Sequence, residues 1–440
     1  MVMKLTLFSF LVGISLAAPA QNRMMSLEEA IATTLQNNYD IRIAANDSLA
    51  AAIDYEYRNA AFLPRLNANA GASWTTNDSK QVLADGTKRE RSGLKSNNLT
   101  AQLALNWTLF DGLKMFATRD KLDEYLSLGS LTIKNQVGNT VAAVISTYYD
   151  IVRQKQQLKA IEEQISINQE RVKLAQYKLD IGVGAKPDVL QSKVDLNEQK
   201  ALQLEQLSTI ARLKEQLNQL MNVKDANTLY EVADSIPINT GLSLGDIQND
   251  ALNNNPGLLI AKKNIDIAHL TLKEAKADRW PTVSFNSAYN INRTNNAAVI
   301  NSFSTLFNRN KGLNYGFTAS IPIFNNYTVK RQIRQAELNI RYQGLLLDNQ
   351  RSQVSLSVVN AYLDYDRQKK ELALEEENIL LARENVNIVL EVYRLNSTTL
   401  IQLKEAQKSL QDAYTRLITA RYNAKQAETE LLRLKGQLVQ

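Results

Sequence analysis

The sequence predicts an α+β membrane protein with four β-strands per chain, long coiled-coil helices and an internal tandem duplication. Three observations predict it. Apolar and polar residues alternate in four segments of about 10 residues, the length of a strand that crosses a bilayer at a tilt. Proline-free runs of roughly 70 residues follow, with apolar side chains stepping by 3 and 4. The same order of landmarks occurs twice, about 215 residues apart. The 7 prolines and 16 glycines in 440 residues agree with long helices.

The first 20 residues read as an export signal. Lys4 supplies the positive charge, Leu5 to Leu16 the apolar run, and Ala18-Pro19-Ala20 the cleavage site. The run is too short for a transmembrane helix, and no later stretch of about 18 apolar residues occurs. The mature chain is expected to begin at Gln21. The absence of cysteine excludes disulfides and thiolate metal sites, and a single histidine, His269, excludes a His-pair metal site. The 51 basic and 45 acidic residues are spread along the chain, for a net charge of +6. No basic cluster points to nucleic acid. Ile181-Gly-Val-Gly184 has no strand before it and no Gly-Lys-Ser/Thr after it, so it reads as a turn and not as a phosphate loop. Carboxylates lie scattered on helix faces, with no catalytic pair, nucleophile elbow or cofactor motif.

Ser26-Leu27 and Ser243-Leu244 each open an amphipathic helix, broken at Asn37-Asn38 and at Asn254-Asn255-Pro256. Helical runs end at Pro64 and Pro281. The expected segments are a first repeat over 21–222, a linker with the start of the second repeat over 223–255, and the second repeat over 256–440. Strands are expected at 66–75, 98–109, 282–291 and 313–323. Leu66, Leu103, Trp107, Phe285, Tyr289, Tyr315 and Phe317 fall on apolar faces, and Asn67, Gln102, Asn106, Asn286 and Thr318 on the opposite ones. One apolar and one uncharged polar face suit a water-filled barrel, with Trp74, Trp107, Trp280 and Tyr327 near the segment ends as a belt. Long polar loops, Thr75 to Asn97 and Asn292 to Gly312, are expected to join each strand pair. Alternation alone also fits half-buried strands of a soluble sheet.

Behind each strand pair a helix of roughly 70 residues is expected to turn back into one of about 36. Leu403, Ala406, Leu410, Ala413, Leu417, Ala420, Ala424, Ala427, Leu431 and Leu434 form an unbroken heptad seam. Polar residues interrupt the partner seams at Asn168, Gln368 and Glu375. Heptads alone equally fit a periplasmic or surface coiled-coil structural protein without a pore.

Further motifs are Leu63-Pro64, Trp280-Pro281, Leu109-Phe-Asp-Gly112, Ile321-Pro-Ile-Phe324 and Tyr177-Lys-Leu-Asp-Ile-Gly182 leading to Asp188-Val-Leu-Gln191. In this doubled order they resemble the TolC family of outer-membrane efflux proteins. The resemblance implies a homotrimer in the outer membrane, with four strands per chain in a trimeric 12-stranded β-barrel. It implies that the helices continue as a coiled-coil periplasmic tunnel. The expected function is a passive exit duct of a tripartite efflux or type I secretion system, and not an enzyme. Its partners would be a periplasmic adaptor (membrane fusion) protein, an inner-membrane pump and outer-membrane lipid. The family's tunnel closes at its helix tips, which match Asp180 to Pro187 and Arg394 to Thr399, the second about two residues shorter. Candidate gate residues are Asp180, Gly182, Gly184 and Asp188 at the first tip, and Arg394, Gln402 and Glu405 at the second. Some members carry acidic rings at positions matching Gln402 and Glu405, so Glu405 is the candidate constriction charge. Asp180 and Arg394 are candidates for a pair across hairpins that would hold the closed state.

Overall fold

The computed structural model describes residues 23–223, 230–395 and 397–438. The export signal expected at 1–20 lies outside the described residues. In chain order the elements are β1 (Arg23–Met24), α1 (Leu27–Asn37), α2 (Tyr39–Glu56), β2 (Arg65–Val82), β3 (Lys88–Asp111), α3 (Lys114–Asp180) and α4 (Lys186–Met221). There follow β4 (Tyr230–Glu231), α5 (Leu244–Asn254), α6 (Pro256–Ala277), β5 (Thr282–Asn296), β6 (Phe307–Ser320), α7 (Thr328–Arg394) and α8 (Leu400–Lys435). They fall into two compact units, one holding residues 42–136 and 249–356, the other the remainder.

The first of these units holds an antiparallel sheet in the order β2-β3-β5-β6, so the two repeats join through β3 and β5. The register puts Leu66 opposite Leu105 and Ala68 opposite Leu103. It continues with Leu103 opposite Tyr289 and Trp107 opposite Phe285, then Tyr289 opposite Leu313 and Phe285 opposite Phe317. Residues directly opposite share a face, so these apolar side chains form one continuous surface. The other face is polar and knitted across strands. Asn106 donates to Asn286 at 2.8 Å, and Asn286 donates to Thr318 at 3.1 Å.

The strands run well beyond the expected segments. Most of Thr75 to Asn97 is not a loop: pairing continues from Thr75 opposite Ser96 to Val82 opposite Lys88, with one irregularity between Asn77 and Ser79. The turn that remains is short. The Thr87 backbone N–H reaches Asp85 Oδ1 at 2.9 Å, and Gly86 supplies a φ of 82°. Likewise most of Asn292 to Gly312 is strand, up to Asn296 and from Phe307. These extensions are polar on both faces, so their sequence lacks alternation while the backbone ladder needs none. The last strand ends at Ser320, short of the expected 323, because Pro322 has no N–H for the ladder.

Both strand-to-helix joints use the same backbone device. Asp111 accepts from the Met115 N–H at 3.0 Å, while Gly112 and Leu113 have φ of 73° and 71°. In the second repeat Asn326 and Tyr327 have φ of 52° and 59°. A left-handed pair leads into the first helical turn at both places, two residues after β3 in the first repeat and seven after β6 in the second. Gly112 is required there, since a Cβ would lie 2.3 Å from the Ala277 carbonyl oxygen.

The other unit is helical. Val141, Val144, Tyr148, Ile151 and Val152 of α3 pack with Leu217 and Met221 of α4, Ala30 of α1, and Tyr230 and Val232. On α8 the seam from Ala406 to Leu417 is buried against Ile379 and Val386 of α7. Each buried Leu contributes about 2 kcal/mol. The buried polar seam residue Glu375 accepts from Arg416 at 3.0 Å. Ser26 caps α1 by accepting from the Glu29 N–H at 3.1 Å. Two short strands were not legible: Arg23 and Met24 pair in parallel with Tyr230 and Glu231. Lys155 and Lys214 hold Glu231 at 3.1 and 3.2 Å.

Replacing Gly112 with alanine adds about 1–2 kcal/mol of left-handed strain to the clash with the Ala277 carbonyl. The expected result is a lowered thermal unfolding midpoint by circular dichroism in detergent. An unchanged midpoint would show that the joint relaxes without cost.

Candidate functional site

The tips of the two helical hairpins carry the residues singled out in the sequence. The first tip spans 181–185 and the second 395–399, so they are equal in length. The expected difference came from ending the first tip at Pro187. Proline is tolerated in the first helical turn, and here it lies within α4. The turns close alike: the Val183 N–H reaches the Lys178 carbonyl and the Ser397 N–H the Val392 carbonyl, each at 3.0 Å.

Gly182 and Gly184 serve the turn in different ways. Gly182 takes a φ of 77°. Gly184 has ordinary φ, but a Cβ on it would sit 2.8 Å from the Lys178 and Leu179 backbone. Asp188 lies in the first turn of α4, where the helix dipole favours a carboxylate.

Among the described residues Asp180 and Arg394 do not pair with each other. Gln176 donates to Asp180 at 2.8 Å, and Arg394 binds Glu391 on its own helix at 2.8 Å. Each ends a helix with a partner one turn back, so local geometry outcompetes the cross-hairpin pair. Gln402 is a capping residue. Its N–H donates to Thr399 Oγ1 at 3.3 Å, and its Oε1 accepts from the Thr399 N–H at 3.4 Å. Thr398 also donates to Gln402 Oε1. Glu405 is exposed and joins no ion pair among the described residues.

What ties the two hairpins together is a different set. Lys178 is buried beside the second tip and donates to the Tyr393 carbonyl at 2.9 Å. A cation there meets the negative end of α7, and the ammonium also lies 3.8 Å from the Tyr393 ring centroid. Burial lowers the Lys178 pKa, and the charge of Asp188 opposes that. Further along, Arg171 is 2% exposed. It donates to Gln407 at 2.9 Å and to Asp195 at 2.5 Å. Asp195 accepts in turn from Lys404 at 3.0 Å and from Gln191 at 2.8 Å. Burial pushes the Asp195 carboxyl up, but hydrogen bonds from Lys404 and Gln191 and the charge of Arg171 outweigh it. The net result is a pKa below the ordinary 3.8. A polar cavity of about 250 Å³ opens beside this cluster, lined by Gln164, Asn168 and Gln199 among others. Sequence reasoning missed these links. Arg171 and Gln407 sit one position off the heptad seams, and only side-by-side packing of the two hairpins makes that position interior.

Removing one member of a buried charge pair typically costs about 3–5 kcal/mol. Arg171→Ala is therefore expected to lower thermal stability and to speed protease cleavage near both tips. The pH dependence has a definite sign. Asp195 holds its proton less readily folded than unfolded, so its stabilisation is complete above its ordinary pKa. It is lost as pH falls below 3.8. Asp195→Asn should flatten that acid limb of the stability profile, and an unaltered limb would assign it to other carboxylates.

A family described as outer membrane efflux protein matches residues 30–223 and again 247–437. The outer membrane protein TolC of Salmonella enteritidis is 19% identical over 422 residues, covering 94% of this chain and 83% of its own. The alkaline protease secretion protein AprF of Pseudomonas aeruginosa is 21% identical, covering 90% of this chain and 83% of its own. Among solved structures, the outer membrane protein VceC of Vibrio cholerae superposes with a TM-score of 0.76 at 14% identity. It covers 93% of this chain and 96% of its own.

Proposed function

The chain belongs to the outer membrane efflux protein family, and from that premise we propose that it is a passive exit duct of the outer membrane. The observation that carries this reading is the sheet. One face is continuously apolar, the other polar and nearly uncharged, and β2 and β6 lack an outer neighbour among the described residues. Four strands are too few to close, since membrane barrels begin at about eight. Three copies supply a 12-stranded ring in which β6 of one subunit pairs with β2 of the next. The helices lie in the periplasm. Solute enters there from an inner-membrane pump through a periplasmic adaptor, and leaves through the barrel. The match to a secretion protein favours type I secretion as a use of the same duct beside efflux.

The two repeats act as matched halves, 21–222 and 256–440, with 223–255 between them as a collar. Asp180, Gly182, Gly184, Asp188, Arg394, Gln402 and Glu405 surround the periplasmic end. The glycines and Gln402 shape the turns, and Glu405 is the free charge at the constriction. Three copies of Glu405 form a ring that attracts cations. Opening separates the tips, with the Lys178 and Arg171 links moving each subunit's two hairpins as a pair.

Purified protein in planar bilayers should conduct, and Glu405→Lys should lower the cation-to-anion permeability ratio, read from the reversal potential in a salt gradient. Conductance with unchanged selectivity would remove Glu405 from the constriction. No conductance, even with the tip links cut by Arg171→Ala, would sink the duct reading itself.

A further inference from the structure

We propose that the outward apolar face of the sheet carries a docking site for anionic, phosphate-bearing lipid headgroups, built from Arg293, Arg309, Lys311 and Lys95. This rests on the reading above, in which the apolar face meets lipid. The register makes the site. Arg293 on β5 lies directly opposite Arg309 on β6, and Lys311 lies opposite Ile291. Leu99 faces Arg293 from β3 on the other side. Opposite residues share a face, so these cations stand on the same surface as Leu99, Ile291, Leu313 and Tyr289, just beyond the apolar band on the hairpin-turn side. Lys95, opposite Thr76 on β2, belongs to the same row of β3 as Leu99.

Two like charges placed directly opposite destabilise a strand pair. No carboxylate relieves these among the described residues. The acidic groups at this end of the sheet are committed elsewhere: Glu90 to Lys80 at 2.9 Å, Asp78 to the Gly93 N–H at 2.7 Å, and Asp85 to the Thr87 N–H in the turn. The Phe307 ring lies beside Arg293, 5.6 Å from its guanidinium. Arg293, Arg309, Lys311 and Lys95 are all exposed.

On β5 and β6 the charge is also confined to one face. The polar-face positions at the same level are Asn292, Thr294, Asn308 and Asn310, all uncharged. Cations meant to guide solute through the lumen, or simply to keep the strand ends soluble, would occupy the polar face or both. Cations restricted to the lipid side, one step above the apolar band, lie where headgroups begin. Guanidinium groups bind phosphate through paired N–H donors, and a phosphate between Arg293 and Arg309 cancels their repulsion.

The test compares lipids that differ by one phosphate. Full-length protein in detergent is mixed with bisphosphorylated lipid A or with its monophosphorylated form of matched acyl chains, and bound lipid is counted by native mass spectrometry. Wild type should prefer the bisphosphorylated form. R293Q/R309Q/K311Q should lose that preference by about fivefold per cation removed, while R293K/R309K should keep most of it. Equal retention of both lipids by wild type, or an undiminished preference in the triple variant, overturns the proposal. If the triple variant does not fold, R309Q and K311Q tested singly must each show a partial loss. Conductance in neutral phosphatidylcholine bilayers separates the two readings. A wild type that prefers the bisphosphorylated lipid but does not conduct refutes the duct and leaves the lipid site standing.

Discussion

Two rows of backbone donors and acceptors, along the outer edges of β2 and β6, have no partner within the described chain. In hydrocarbon each such group costs several kcal/mol, so an open four-stranded ribbon cannot rest there. The apolar face commits the sheet to lipid, and lipid forbids the edges. Everything else about the molecule follows from resolving that conflict with other copies of itself. The polar face becomes a lumen only because the ring closes. The long helices gain neighbours for their exposed apolar side chains, such as Leu345, Leu363 and Leu380 of α7, only in the assembled state.

Duplication gives the chain two of every part, and the halves have since diverged at their buried polar contacts. Within the second hairpin the buried Glu375 pairs with the half-exposed Arg416. The matching positions of the first are Ile161 and Leu202, which line a cavity beside Gln157 and Thr415. Arg171, Asp195, Lys404 and Gln407 likewise have no repeat counterparts of the same chemistry. Where one hairpin meets the other, charge and hydrogen bonding select one alignment. Buried polar groups of this kind fix register at some expense of stability.

Much of this was legible in the sequence, for identifiable reasons. Period-2 alternation exposed the membrane-crossing parts of the strands, because lipid on one side and water on the other write opposite residues there. It went silent above the apolar band, where both faces are polar, and the strands were therefore read too short. The α8 seam was plain because Leu and Ala repeat without a fault. Gln402 looked like a substituted acid of a constriction ring, whereas the Thr399 before it marks a helix start and makes it half of a cap. Asp180 and Arg394 have partners one helical turn back, Gln176 and Glu391, which attention to a distant pairing passes over. Lys178, Arg171 and the β1–β4 pair depend on contacts between segments far apart, on which local pattern carries no information.

The left-handed joint at Gly112-Leu113 has a mechanical consequence. α3 begins two residues after the paired strand β3, through two positive φ angles, and so has little slack at its root. It cannot swivel about its axis without unpairing the last rungs of the ladder beside Asp111. Torsion applied near the far end of α3 is therefore taken up along its 67 residues and not at a pivot at the root. The joint after β6 is looser, with seven residues between Ser320 and Thr328, so α3 and not α7 is the torsion bar clamped at one end.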